Sequence, residues 1–143
     1  MKALTIYQPY ADMIAKLEKP SGQFVDGIEH NEQIENRTWP TAYRGSLAIH
    51  AGKSRDWLES DDERERPGMA FGAIVASSML TGCVCVEDLP PHLRDSEHAN
   101  GPWCWLLTDV RPLTTPIPWK GEQGLWAVPS DLAQQILERG GEI

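Results

Sequence analysis

Residues 34–53 bring together the side-chain types that hold a planar, hydrogen-bonding ligand. Trp39 and Tyr43 each offer a flat face for stacking, and the Glu35 carboxylate can accept hydrogen bonds from an amino edge. Aromatic residues at such spacing are also common in hydrophobic cores, and Glu35 could instead form an ion pair with Arg37 along one strand face. The composition of this segment favours a binding pocket over a purely structural role.

Four basic groups in the same segment could bind an anion or move a proton. The guanidinium groups of Arg37 and Arg44 can each donate paired hydrogen bonds to a phosphate or a base carbonyl. Lys53 follows a predicted strand that carries His50, so both side chains are expected to reach one cleft. There Lys53 could act as a base or bind phosphate, and His50 could move a proton near neutral pH. A surface lysine and a structural histidine are the alternatives.

The charge distribution supports a small anionic site on an acidic protein. The net charge of −8 over 143 residues argues against a protein that coats nucleic acid through bulk electrostatics. Residues 35–55 nevertheless contain four basic side chains and only one acidic side chain, and this stretch overlaps the segment described above. A local basic site of this kind suits one phosphate or carboxylate rather than a long polyanion.

The elements that must position these residues are mostly short strands. Hydrophobic patterning predicts strands at 2–7, 46–51, 103–110 and 124–128, a long curved strand or a hairpin at 71–86, and an extended segment at 111–120. It predicts helices at 9–17 and from Ser130 onward, a charged helix or loop at 55–66, and a polar loop or insertion at 18–34. We therefore expect one domain over 1–143, a small curved sheet or pseudo-barrel with two or three flanking helices.

Neither a metal site nor a membrane span is predicted. Cys83 and Cys85 lie on one face of a strand rather than in a metal-binding knuckle, and the four histidines are scattered along the chain. No cofactor is expected. No apolar run approaches the ~20 residues that cross a bilayer, and the first residues alternate like a strand without a secretory cleavage site. We therefore expect a cytoplasmic protein.

Three separated blocks of the sequence together resemble the ASCH domain (activating signal cointegrator homology), a relative of the PUA domain. These blocks are Met1–Ala11, Glu35–Pro40 with Ile49–Lys53, and Gly101–Trp105 with Gly124–Trp126. The resemblance implies an α+β fold, a PUA-like small mixed β-barrel with flanking helices, and a cleft suited to RNA or a modified nucleoside or nucleotide. It also implies a possible hydrolase, because some members are similar to nucleases or to amidohydrolases acting on acetylated cytidine.

The family signature Gly-x-Lys-x-x-Glu-x-Arg matches this chain only in its second half. Its last two fixed positions fall on Glu35 and Arg37, whereas its glycine and lysine positions hold His30 and Glu32. The amine that amidohydrolase members would supply at the lysine position is therefore missing. Lys53 is the nearest candidate replacement.

The residues and the resemblance together define a set of candidate site residues. The candidate catalytic residues are Lys53, Glu35, His50 and Tyr43, and the candidate ligand-binding residues are Gln8, Arg37, Thr38, Trp39, Arg44 and Ser130. For Ser130, a role as a helix cap alone is favoured over ligand binding. We rank a binding module for RNA or a modified nucleotide first and a metal-independent ribonuclease or nucleoside amidohydrolase second. A protein-interaction scaffold using the tryptophan-rich last third of the chain ranks third.

Overall fold

The computed structural model describes all 143 residues, which form eight β-strands, four α-helices and one short 3-10 helix. The strands are β1 (Lys2–Ile6), β2 (Gln23–Val25), β3 (Ile28–His30), β4 (Gln33–Arg37), β5 (Gly45–Ala51), β6 (Ala73–Cys85), β7 (Trp103–Pro118) and β8 (Leu125–Ala127). The helices are α1 (Tyr10–Ala15), α2 (Asp62–Glu65), α3 (Pro91–Arg94), α4 (Ser130–Glu138) and the 3-10 helix Val86–Asp88. None of these helices has the length and apolar character that crossing a membrane requires.

Six of the strands form one curved, mixed sheet in the order β4-β7-β6-β5-β1-β8. Strands β1 and β5 run parallel, and every other pair in the sheet is antiparallel. Strand β6 carries three register shifts against β7, and such bulges bend and twist a sheet. The expected α+β class is confirmed. The sheet remains open, because the edge strands β4 and β8 do not pair, and a closed barrel is not formed.

The hydrophobic core lies on both faces of this sheet. The largest cluster packs α1, through Ala11 and Ile14, against the inner face around Trp105. On the other face α4 contributes Leu132 and Ile136 to a second cluster. The tryptophans of the last third of the chain are buried or half-buried, so they do not form the exposed patch that an interaction scaffold would need.

A small hairpin replaces the loop expected at residues 18–34. Strands β2 and β3 pair as a separate ribbon, joined by Asp26 and Gly27 with φ of 52° and 78°. Positive φ at both central residues suits a type I′ turn, for which Asp-Gly is a favoured sequence. The Asp-Gly pair is thus a sequence pattern typical of a hairpin, and the loop expected at this place is wrong.

Other boundaries also differ from the sequence expectations. The charged run 55–66 contains only the four-residue α2, and two further short helices raise the number above two or three. Strand β7 continues to Pro118 through a segment rich in proline. Its pairing with β4 ends at Leu107, so the later part of β7 pairs only with β6 and has one free edge, the position in a sheet where proline is tolerated.

Candidate functional site

Three adjoining cavities form one cleft along the open side of the sheet. The central cavity, of about 370 Å³, is flanked by a cavity of about 390 Å³ that contains Lys19 and by one of about 380 Å³ that contains Lys53. The central and Lys19 cavities share four lining residues, namely Tyr10, Glu35, Asn36 and Trp57. The central and Lys53 cavities share another four, namely Thr5, Tyr7, Glu122 and Gln123.

A buried group of three charges forms the wall of the central and Lys19 cavities. The Glu35 carboxylate, with 7% of its side chain exposed, lies 3.2 Å from the Lys19 ammonium through one oxygen and 2.9 Å from the Arg37 guanidinium through the other. The Lys19 side chain is 4% exposed, and its ammonium also lies 5.0 Å from the centre of the Tyr10 ring. An ammonium therefore lies beside Glu35, and it belongs to Lys19 rather than to Lys53, the expected replacement for the signature lysine.

Backbone hydrogen bonds to β4 hold Lys19 beside Glu35. The Lys19 N–H donates to the Gln33 side-chain oxygen at 2.7 Å, and the Ile34 N–H donates to the Lys19 carbonyl at 2.6 Å. The Gln33 amide then donates to the Pro20 carbonyl at 2.9 Å. No spacing pattern in the sequence could reveal this arrangement, because it depends on how the segment after α1 folds against β4.

Arg37 connects the charged wall to the first strand. Its Nη2 donates to the Thr5 carbonyl at 2.7 Å as well as to Glu35, although β1 and β4 are not neighbours in the sheet. The Arg37 Nε is buried and has no hydrogen-bond partner. The guanidinium thus spans the opening between the two strands, and its buried Nε–H has no acceptor.

Thr5 and His50 form a hydrogen-bonded pair between the central and Lys53 cavities. They are register partners on the parallel strands β1 and β5, and Thr5 Oγ1 lies 3.1 Å from His50 Nδ1. His50 Nε2 lies 2.8 Å from the Trp119 carbonyl, which can only accept, so Nε2 carries the proton. Nδ1 of the neutral ring therefore presents its lone pair to the Thr5 hydroxyl. Sequence reasoning identified His50 but missed Thr5.

The environment of His50 favours the neutral ring. Burial lowers the pKa of His50 more than its hydrogen bond to the Trp119 carbonyl raises it, and the positive charge of Lys53 lowers this pKa further. Gly121 covers the pair closely: a β-carbon there would lie 2.6 Å from His50 Cε1 and 2.7 Å from Thr5 Oγ1. Only glycine fits at this position without displacing the pair.

The Lys53 cavity has a positively charged end. Lys53 and Lys120 both line it, both are exposed, and neither ammonium forms an ion pair or a hydrogen bond to the protein. The Lys53 stem packs against Gly72, which directs the side chain along the protein surface. Two unpaired ammonium groups can bind a phosphate as point charges.

Exposed aromatic rings line the mouth of the central cavity. Trp57 is 55% exposed and Tyr7 is 47% exposed, and their rings lie nearly parallel, at 16°, with centroids 6.2 Å apart. Tyr10 adds a third partly exposed ring. Trp57 lies in the charged run 55–66, before α2, and was not among the sequence candidates.

Two of the sequence candidates with aromatic rings lie outside the cleft. The Trp39 ring packs edge-on against Trp105 at 4.8 Å, and its carbonyl accepts a hydrogen bond from the Trp105 indole. Strand β4 ends at Arg37, and the chain bends there, which turns Trp39 into the core rather than along the cleft wall with Glu35. The Tyr43 hydroxyl donates to the Ser46 carbonyl at 2.6 Å. Both side chains support the fold around the cleft.

The remaining candidates also line none of the three cavities. Gln8 is buried, and its amide donates to the Ala70 carbonyl and accepts from the Asp12 N–H. Thr38, Arg44 and Ser130 are exposed. Ser130 is the first residue of α4 and makes no capping hydrogen bond, so the expected helix cap is wrong. Of the ten sequence candidates, the structure brings together Glu35, Arg37, His50 and Lys53.

Comparison with solved structures identifies the fold. The ASCH protein of Zymomonas mobilis superposes with a TM-score of 0.53 over 99% of this chain and 96% of its own, at 14% sequence identity. A tyrosine-to-phenylalanine variant and a serine-to-alanine variant of that protein give TM-scores of 0.53 and 0.50. This chain has the ASCH fold. No protein-family model matches the sequence, and no curated protein is significantly similar to it.

The buried Lys19–Glu35 pair of this ASCH fold gives a stability prediction. Lys19→Met should lower the free energy of unfolding by about 3 kcal/mol, near the lower end for breaking a buried pair, because Arg37 still faces Glu35. Lys16→Met is the matched control, since Lys16 is half-exposed and its pair with Asp12 should contribute less than about 0.5 kcal/mol. Urea denaturation of both variants measures the difference, and equal losses would contradict the assignment.

The lowered pKa of His50 gives a prediction for the pH dependence of stability. The unfolded chain binds a proton at the ordinary histidine pKa of about 6.5, whereas the folded protein resists protonation of His50. The free energy of unfolding should therefore be highest above that pH and should fall as the pH drops towards the lowered pKa of the folded state. His50→Gln should show a smaller fall in urea denaturation at successive pH values. A variant curve parallel to that of the wild type would refute this.

Proposed function

We propose that this protein binds RNA or a modified nucleoside or nucleotide in the cleft formed by the three cavities. The observation that carries this proposal is the order of groups along the cleft: a buried charged wall, exposed aromatic rings, and two unpaired ammonium groups. Nucleotides need a hydrogen-bonding edge for the base, a stacking surface and a cation for the phosphate. The cleft offers these three in sequence.

The dimensions and charges of the cleft suit a ligand of nucleotide size. Each cavity holds a few hundred cubic ångströms, the scale of a small-molecule site. Glu35 and Arg37 present polar groups at the charged wall, Trp57 and Tyr7 offer stacking faces, and Lys53 lies at the far end. A base stacked at the central cavity would direct its phosphate towards Lys53. Because the protein carries a net charge of −8, affinity must come from these local contacts.

Substitutions in the cleft should separate stacking from phosphate binding. Trp57→Ala should weaken binding of single-stranded RNA by about 1–3 kcal/mol, the usual loss for one stacked base, and Trp57→Phe should retain part of the affinity. Lys53→Ala should reduce the slope of log affinity against log salt by about 1, because it removes one phosphate contact. Fluorescence titration with single-stranded RNA and a panel of modified nucleosides measures both effects.

The matched control for that experiment is Lys16→Ala. Lys16 is an exposed lysine that lines none of the three cavities. Its replacement should leave affinity and salt slope unchanged. The binding proposal fails if the wild-type protein binds none of the probes, or if Lys16→Ala weakens binding as much as Lys53→Ala.

Hydrolysis of the bound nucleoside or nucleotide is a second candidate function, and the Thr5–His50 pair favours it. The Thr5 hydroxyl would be the nucleophile, the neutral His50 ring the base, and the Trp119 carbonyl the group that orients the ring. Hydrogen bonds connect the three groups in this order. In this reaction His50 Nδ1 takes the Thr5 proton as Thr5 Oγ1 forms a bond to a carbonyl carbon. The C–N bond then breaks as His50 gives the proton to the leaving amine, and water hydrolyses the Thr5 ester to release a carboxylic acid and restore the hydroxyl.

Catalysis is tested by substitutions that change the Thr5 hydroxyl and little else. Thr5→Val keeps the side-chain shape and should abolish product formation without loss of ligand affinity, whereas Thr5→Ser should retain activity. The assay incubates the protein with single-stranded RNA and N4-acetylcytidine in EDTA and reads products by mass spectrometry. If Thr5→Val forms as much product as the wild type, Thr5 is not the nucleophile. If the wild type forms no product, hydrolysis is excluded and the binding function remains.

A further inference from the structure

We propose that His30, Glu32 and His92 form a binding site for a zinc-like divalent ion, separate from the cleft. His30 ends β3, Glu32 precedes β4 and His92 lies on α3, so the site would join the β2–β3 hairpin to the helix. The ligand atoms of the three residues all lie within 4.8 Å of one another. The sequence argument that the histidines are scattered is wrong for this pair, whose ring centroids are 4.4 Å apart.

Two of the three distances between the ligand atoms approach those of a tetrahedral metal centre. His30 Nδ1 lies 3.3 Å from one Glu32 oxygen, and His92 Nε2 lies 3.9 Å from the other. Metal–ligand bonds of about 2.0–2.1 Å at tetrahedral angles place ligand atoms roughly 3.3 Å apart. A small inward movement of the His92 ring would complete the three-sided arrangement.

Two atoms of the cluster lack the partner that a metal ion would provide. Glu32 Oε2 and His92 Nε2 are both buried atoms without a hydrogen-bond partner. Buried polar atoms are almost always satisfied in folded proteins, and two orphaned atoms that face each other at 3.9 Å point to one missing ligand. An ion between them would satisfy both.

Buried neighbours hold two of the three ligands, His92 and Glu32, in place. His92 precedes Leu93, which is 2% exposed and packs with Ile34 in the core beneath α3. Glu32 precedes Gln33, whose amide is fully hydrogen-bonded to the segment around Pro20. The backbone on both sides of the cluster is therefore fixed, which lowers the ordering cost of binding a metal.

The ligand set selects the kind of ion. Two imidazoles and one carboxylate suit Zn²⁺ and similar transition ions, whereas Mg²⁺ and Ca²⁺ require oxygen ligands. The three side chains retain exposures of 16–26%, so an ion has a path from solvent and a fourth position for water. A three-residue site with one position for water is a common zinc arrangement.

Zinc titration of the metal-stripped full-length protein tests the site. Isothermal titration calorimetry should show one equivalent of Zn²⁺ bound with micromolar or tighter affinity. His92→Ala and Glu32→Gln should each weaken binding by at least about 100-fold, because losing a ligand exceeds the loss of a supporting hydrogen bond. Saturating zinc should raise the melting temperature of the wild type by several degrees and leave that of His92→Ala unchanged.

Two control variants separate this site from other metal-binding groups. His98→Ala removes a histidine outside the cluster, and Cys83→Ser with Cys85→Ser removes the paired thiols of β6; neither should change zinc affinity. Failure of the wild type to bind micromolar zinc would overturn the proposal, as would equal affinity in His92→Ala.

Cobalt absorption keeps the test decisive if the cluster variants do not fold. Co²⁺ bound by the wild-type protein should show visible d–d bands of a site with nitrogen and oxygen ligands, without a near-ultraviolet thiolate band. The absence of the visible bands, or the presence of a thiolate band, would refute the assignment. Neither outcome depends on the cleft, so failure of the zinc site leaves the proposed nucleotide binding intact.

Discussion

The buried carboxylate of Glu35 is the constraint on which the cleft depends. An ionised group with 7% exposure is stable only while its charge is compensated, so Lys19 and Arg37 must both remain beside it. Each cation is in turn fixed by a second element, because Arg37 bonds to β1 and the Lys19 backbone bonds to β4. One acidic side chain therefore determines how the first strand, the segment after α1 and the edge strand β4 fit together.

The cleft exists because a side chain, rather than a strand pair, spans the opening of the curved sheet. A closed barrel would pair β4 with the opposite edge of the sheet and would fill the space between them. Here the Arg37 guanidinium makes the connection to Thr5 at 2.7 Å and leaves room on either side. The shape of the sheet and the charge on β4 thus produce the cavity together, and Thr5 lies at its centre because β8 ends before reaching it.

Local patterns in the sequence predicted the local elements well. Alternation identified β1 and β5, helical periodicity identified α4, and chemical type identified Glu35, Arg37, His50 and Lys53 as cleft residues. The other cleft features depend on long-range geometry. Thr5 meets His50 only through the register of two parallel strands, and Lys19 meets Glu35 only because Gln33 binds its backbone. Trp39 differs from these residues, because its ring is of a type that stacks on bases but packs into the core. It does so because β4 has already ended at Arg37.

The two departures from the ASCH signature are related through β4. An ammonium reaches Glu35 from Lys19, whereas the lysine position of the signature holds Glu32. Glu32 accordingly lies with His30 and His92 beside α3, while Gln33 between the two sites holds the backbone of Lys19. An ion bound by Glu32 would restrain the start of β4 and, through Gln33, the lysine that compensates Glu35. The strand therefore provides a direct physical connection between the proposed metal site and the charged wall of the cleft.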